Sequence, residues 1–238
     1  MRAPISQHWQ NLSHRQAWIL FIGSLVLEIP IRWIVRPDMS ALVPGSPWFN
    51  LPLRFAIEAA MVLVFVVVAF AVKAPLPSVG IPLRRWTRWE WGALAIIGLG
   101  EVIVVFLIVG DRWPRIWSRG LIGEGLLWGA GEFLFGCNQE TGFRGLMMSG
   151  LLRITGWRWA FAINTALFLI GPLHGPGLVG WLADTPLAAA GYAIGVVVHG
   201  IAYSWLRYRS DNVVLCAILH GSINGTINGA GLTLRANQ

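Results

Sequence analysis

Charged side chains are scarce in this sequence: Asp, Glu, Lys and Arg make up 12% of its 238 residues. A soluble domain usually carries about 25%. So small a share cannot dress a globular exterior for water, which excludes an ordinary soluble domain. Cysteine is nearly absent. Cys137 and Cys216 share no CxxC spacing and each lies in an apolar stretch, so a disulfide framework is excluded and buried free thiols are expected. There is no HExxH pair, no internal repeat and no low-complexity tail. Acidic residues are outnumbered, giving a net charge of +7. The basic residues fall in short stretches between apolar runs, without the interleaved stacking aromatics that a nucleic-acid partner needs. They fit topogenic charges and contacts with anionic lipid headgroups.

What the chain has in abundance is apolar: 55% of its residues are hydrophobic, and 14 are Trp. Trp86, Trp89 and Trp91, then Trp113 and Trp117, then Trp157 and Trp159 gather near the ends of apolar runs, as in an interfacial aromatic belt. A hydrocarbon core of about 30 Å takes about 20 helical residues. That rule predicts an all-α, polytopic transmembrane bundle of about seven helices (six to eight) forming one integral membrane domain. The spans are Ala17 to Val35, Leu53 to Val72, Trp91 to Val109, Leu121 to Leu152, Trp159 to Leu173, Leu187 to Leu206 and Val213 to Asn228. Met1 to Gln16 is polar and no cleavage site follows the first apolar run, so that run reads as a retained helix. The fourth span is too long for a simple crossing. It is expected to tilt, to project, or to break near Gly129 to Gly131 or at Gly136. Arg and Lys in the connectors favour a cytoplasmic N-terminus.

Ionisable residues at membrane depth are costly and usually functional. Glu28 and Arg32, and Arg54 and Glu58, are spaced i,i+4 and can neutralise each other along one helix face. Glu101 and Glu132 have no such neighbour. In the fourth span, Glu140 and Arg144 are also spaced i,i+4, and Gln139 lies ~100° round the helix from Glu140. His174 ends an apolar run directly before a Gly-Pro-Gly break. His220 and Asn224 share one face of the last span. Each of these has a structural explanation when taken alone: an ion pair bracing helices, an interfacial histidine, an interhelical hydrogen-bond pair. His199 reads as a packing or pore-facing histidine.

Taken in order, the three segments resemble the signature motifs of the CAAX protease and bacteriocin-processing family (CPBP, or Abi), a group of intramembrane proteases. The family's Glu-Glu-x-x-x-Arg is matched by Gln139-Glu140-Thr141-Gly142-Phe143-Arg144. Its Phe-x-x-x-His is matched by Ile170 to His174, and its His-x-x-x-Asn by His220 to Asn224. The likeness covers Trp128 to Gly229, the motif-bearing core. It implies an endopeptidase acting on membrane-anchored peptides, prenylated or not, in a bacterial or archaeal cell membrane. By position, Gln139 stands where the family has its general base. His174 and His220 would bind and polarise water, Asn224 would donate to the oxyanion, and Glu140 with Arg144 would be the supporting pair.

Two positions depart from the pattern. Ile170 replaces Phe, an exchange between apolar residues. Gln139 replaces the base, and an amide takes no proton from water near neutral pH. The alternative is therefore a non-catalytic relative: an immunity factor, or a scaffold subunit of a membrane complex. A small transporter is a third reading, disfavoured by the lack of internal repeats. No cofactor is expected. A catalytic zinc would need two histidines and a carboxylate, and that carboxylate would have to be Glu140.

Overall fold

The computed structural model describes residues 7–41, 47–110, 122–171, 174–175, 178–179, 182 and 185–235. All regular structure among them is helical. The helices are α1 (His14–Ala41), α2 (Pro47–Ala71), α3 (Arg88–Val109), α4 (Ile122–Glu140), α5 (Met148–Thr155), α6 (Trp157–Ile170), α7 (Pro186–Ser210) and α8 (Val213–Arg235). Among the described residues each predicted span lies on helix apart from Val72 and Gly171. Lipid offers the backbone no hydrogen bonds, so long apolar runs close their own as helices. By length and composition, two of the described helices, Arg88–Leu107 and Pro186–Ser210, can cross a membrane.

Side-chain placement is inverted relative to a soluble domain. Ile96, Leu99, Phe106 and Leu107 of α3 face outward, as do Leu187, Ile194 and Val198 of α7. Glu90, Gln139, Glu140, Arg144, Asn164, Arg207 and His220 are buried. Broad exposed apolar faces of this kind suit contact with a membrane or with another protein.

The fourth span does not break at its glycines. It runs on through a π-helical segment, Thr141–Met147, into α5. Gly136 is used instead for packing: a Cβ there would lie 2.7 Å from the Gly221 Cα on α8. The wider π turn leaves carbonyls open to side-chain donors. Asn164 of α6 donates to the Phe143 carbonyl at 2.8 Å, and Arg207 Nε of α7 donates to the Arg144 carbonyl at 3.1 Å. The main core surrounds this segment, with Phe143, Met147, Met148, Leu151, Leu152, Phe168 and Val196 packed together.

Polar residues lock the ends. Glu90 forms a capping box with Thr87 at the start of α3, and Arg84 grips its carboxylate with two bonds of 2.8 and 2.9 Å. Asn212 donates to the same carboxylate, tying α3 to the α7–α8 turn. At that turn Asp211 adopts a left-handed conformation, φ 51°, which Asp tolerates better than most residues. Its carboxylate accepts from Arg207 Nη1 and from the backbone N–H and Nδ1 of His8. Gly80, at φ +86°, sits against Arg207, and a Cβ there would lie 2.4 Å from Nε. That guanidinium is fully buried and bonded on three sides, to the Arg144 carbonyl, Ser149 and Asp211. It cannot swing aside. Gly80→Ala is expected to lose about 1–3 kcal/mol from strain alone, read as a lower melting temperature in detergent. An unchanged melt would show that this loop does not hold Arg207.

Other sequence expectations resolve locally. Cys137 and Cys216 are free thiols. Glu58 accepts from Asn138 at 2.6 Å, and Glu101 accepts from Ser222 at 2.7 Å and Thr226 at 3.3 Å on α8. The side chains of Glu28, Arg32 and Arg54 lie outside the described residues, as do Trp113 and Trp117.

Candidate active site

The end of α4 and the π segment bring Glu140 and Arg144 into the interior, both fully buried. Arg144 Nη1 lies 3.3 Å from Glu140 Oε1. The same oxygen is 2.8 Å from His220 Nδ1 of α8 and 4.0 Å from His199 Nε2 of α7. Glu140 is therefore more than a brace within its own helix: it joins three helical segments at one carboxylate.

The phenyl ring of Phe168, on α6, is the hub. The Arg144 guanidinium carbon sits 4.2 Å from its centroid, within cation–π range. Three imidazoles surround the same ring: His174 edge-on at 4.5 Å, His199 stacked at 5.9 Å and His220 edge-on at 6.4 Å. His174 and His220 are thus no further apart than the sum of their two distances to that ring. That is within reach of one substrate group. His174 Nδ1 is also hydrogen-bonded to the Tyr192 hydroxyl. His199 and His220 are 4.3 Å apart between centroids.

Gln139 is buried, and its side-chain oxygen has no hydrogen-bond partner among the described residues. Asn224 lies one turn beyond His220 on α8 and is half-buried. Its stretch of helix is held from the other side by Glu101 through Ser222 and Thr226. Of the residues singled out in the sequence, Arg144, His174 and His220 converge on Phe168, and Glu140 joins them through Arg144 and His220.

Sequence reasoning set His199 aside, and the structure puts it in the cluster. The available signal was an ionisable residue in the middle of an apolar helix. Its spacing to any motif residue carried no warning, because the juxtaposition depends on how α7 crosses α4 and α8. Phe168 was missed for the same reason.

Donor atoms of Glu140, His199 and His220 all lie within 4.8 Å of one another, a set that could grip a divalent ion. Electrostatics weigh against one. Arg144 already balances the Glu140 charge, so a divalent ion would leave two uncompensated positive charges in a buried site. What the cluster suits is a polar, water-sized guest. It offers imidazole nitrogens, a carboxylate behind them and a low-dielectric wall that strengthens each interaction.

Fold and site together define an all-helical, membrane-compatible protein with a buried cluster of carboxylate, guanidinium and imidazole groups. Residues 125–226 match the family model described as type II CAAX prenyl endopeptidase Rce1-like. Over those residues the chain is similar to the CAAX protease and bacteriocin-processing family, a family of membrane-integral proteases. No curated protein and no solved structure matches the chain.

Proposed function

We propose that this protein is an intramembrane endopeptidase that hydrolyses a peptide bond of a membrane-anchored substrate. The observation that carries the proposal is the gathering of His174, His220 and Arg144 around Phe168, with Glu140 bound to Arg144 and His220, at residues of the matched family segment. In this scheme His174 and His220 bind and polarise the attacking water. Asn224 donates to the oxyanion, and Glu140 with Arg144 holds His220 in place. The connectors' Lys and Arg put the N-terminus on the cytoplasmic side. The family description supports a substrate carrying a prenyl group.

One specific observation favours a second reading, a non-catalytic relative: the amide at Gln139, where the family has a carboxylate. The test uses purified protein in liposomes with membrane-anchored reporter peptides, each with and without a prenyl group. Wild-type protein is expected to cleave, and Gln139→Glu to cleave at least as fast. In the second reading only Gln139→Glu cleaves, and a gap of about 10²–10⁴-fold opens between them. Cleavage by neither, with both folded, would sink the endopeptidase proposal. A rate indifferent to the prenyl group would remove it from the substrate.

A further inference from the structure

Gln139 poses a chemical problem that the cluster itself can answer. Hydrolysis needs a proton acceptor within reach of water. Glu140 is sealed at 0% exposure, its Oε1 shared between His220 and Arg144. His220 is 5% exposed in its side chain, holds that same oxygen through Nδ1 and is already committed to binding the water. His174 spends Nδ1 on Tyr192.

His199 differs. Its side chain keeps 25% of its surface open, while Nε2 is enclosed, without a hydrogen bond among the described residues, 4.0 Å from the Glu140 carboxylate. The ring is clamped between two aromatic faces: Tyr203 at 4.2 Å and 16°, and Phe168 at 5.9 Å and 12°. Its plane is therefore fixed, with Nε2 toward the carboxylate and Nδ1 left for the open side. A carboxylate behind one imidazole nitrogen and an open site before the other is the arrangement that makes histidine a general base. A separation of 4.0 Å closes to a hydrogen bond with a small slide of the ring within its plane, as catalytic contacts do when substrate binds.

We propose that His199 is the general base of this chain, oriented by Glu140, and that it replaces the carboxylate that Gln139 lacks. The inference rests on the endopeptidase reading. His199 Nδ1 takes a proton from water as the water oxygen bonds to the peptide carbonyl carbon. The carbonyl electron pair moves onto its oxygen. When the tetrahedral species collapses, the C–N bond breaks and the imidazolium returns the proton to the departing amine. His199 ends neutral, and nothing is oxidised or reduced. Glu140 is a positioning residue that offsets the transient imidazolium charge. The titratable groups facing His199 are Glu140 from α4, Arg144 from the π segment, His220 from α8 and Tyr203 from its own helix.

The experiment compares wild type, Gln139→Glu, His199→Gln and the double variant Gln139→Glu/His199→Gln in the liposome assay. Intact folding is checked by melting temperature and elution profile. His199→Gln is expected to lower kcat about 10²–10⁴-fold with KM nearly unchanged, and the double variant to recover most of it. Full activity of His199→Gln would overturn the proposal while leaving the endopeptidase reading intact. So would activity confined to Gln139→Glu, or wild-type activity abolished by a chelator and restored by zinc. Inactivity of all four folded proteins would overturn the endopeptidase reading itself, and this inference with it.

Discussion

Replacing Arg144 by Met is expected to cost about 3–5 kcal/mol of stability, seen as a large drop in melting temperature in detergent. The loss does not come mainly from the contacts of Arg144 itself. Removing the guanidinium strands Glu140, which is fully buried and 3.3 Å away. Among the described residues only the 2.8 Å bond from His220 then remains to solvate that carboxylate. An uncompensated buried charge is the expensive outcome; a neutral pair is not. The double variant Arg144→Met/Glu140→Gln is therefore expected to regain most of the lost stability while remaining defective in cleavage. The single change also removes the cation from the Phe168 face, a smaller loss of about 0.5–2 kcal/mol. If Arg144→Met melts like wild type, the ion pair is not what holds this cluster.

Gly221→Ala is expected to reduce cleavage by 100-fold or more. A Cβ at Gly221 would lie 2.6 Å from the Phe133 carbonyl oxygen and 2.9 Å from the Phe133 ring. The first of these is backbone, so the strain cannot be relieved by a side-chain rotation. The two helices must separate instead. His220 is the preceding residue, and its bond to Glu140 spans the same α4–α8 junction. A displacement of about 1 Å at reacting groups costs on the order of 10²-fold in rate. Gly98→Ala on α3 is the control. Nothing lies within 4 Å of a Cβ there, and alanine favours a helix over glycine by about 1 kcal/mol. Equal rates for Gly221→Ala and the control would show that the α4–α8 spacing does not set the site.

The helices and the Glu140–Arg144 pair could be read from the sequence because both obey short-range rules. Lipid imposes a length on each apolar run, and i,i+4 spacing puts two side chains together wherever the run goes. The π segment could not be read in this way. Its carbonyls at Phe143 and Arg144 are engaged by Asn164 and Arg207, 21 and 63 positions away in sequence, so the local sequence holds only half of the reason for it. The glycines at 129, 131 and 136 invited a break because glycine weakens a helix. Gly136 faces Gly221 instead and lets two backbones touch. His199 was visible as an anomaly without an address, because Glu140 is 59 positions away and lies on another helix.

The carboxylate of Asp211 has one further consequence, and it concerns time. Its two oxygens join Arg207, inside the motif-bearing half, to His8, near the start of the chain. His8 and Asp211 are 203 positions apart. Synthesis proceeds at about 5–20 residues per second, so His8 waits on the order of ten to forty seconds before its partner exists. The turn that carries His8 has an earlier anchor in Ser78, whose hydroxyl donates to the His8 carbonyl at 2.8 Å, so Asp211 is a later fastening. During biogenesis that contact closes only after the helix carrying His199 has been made.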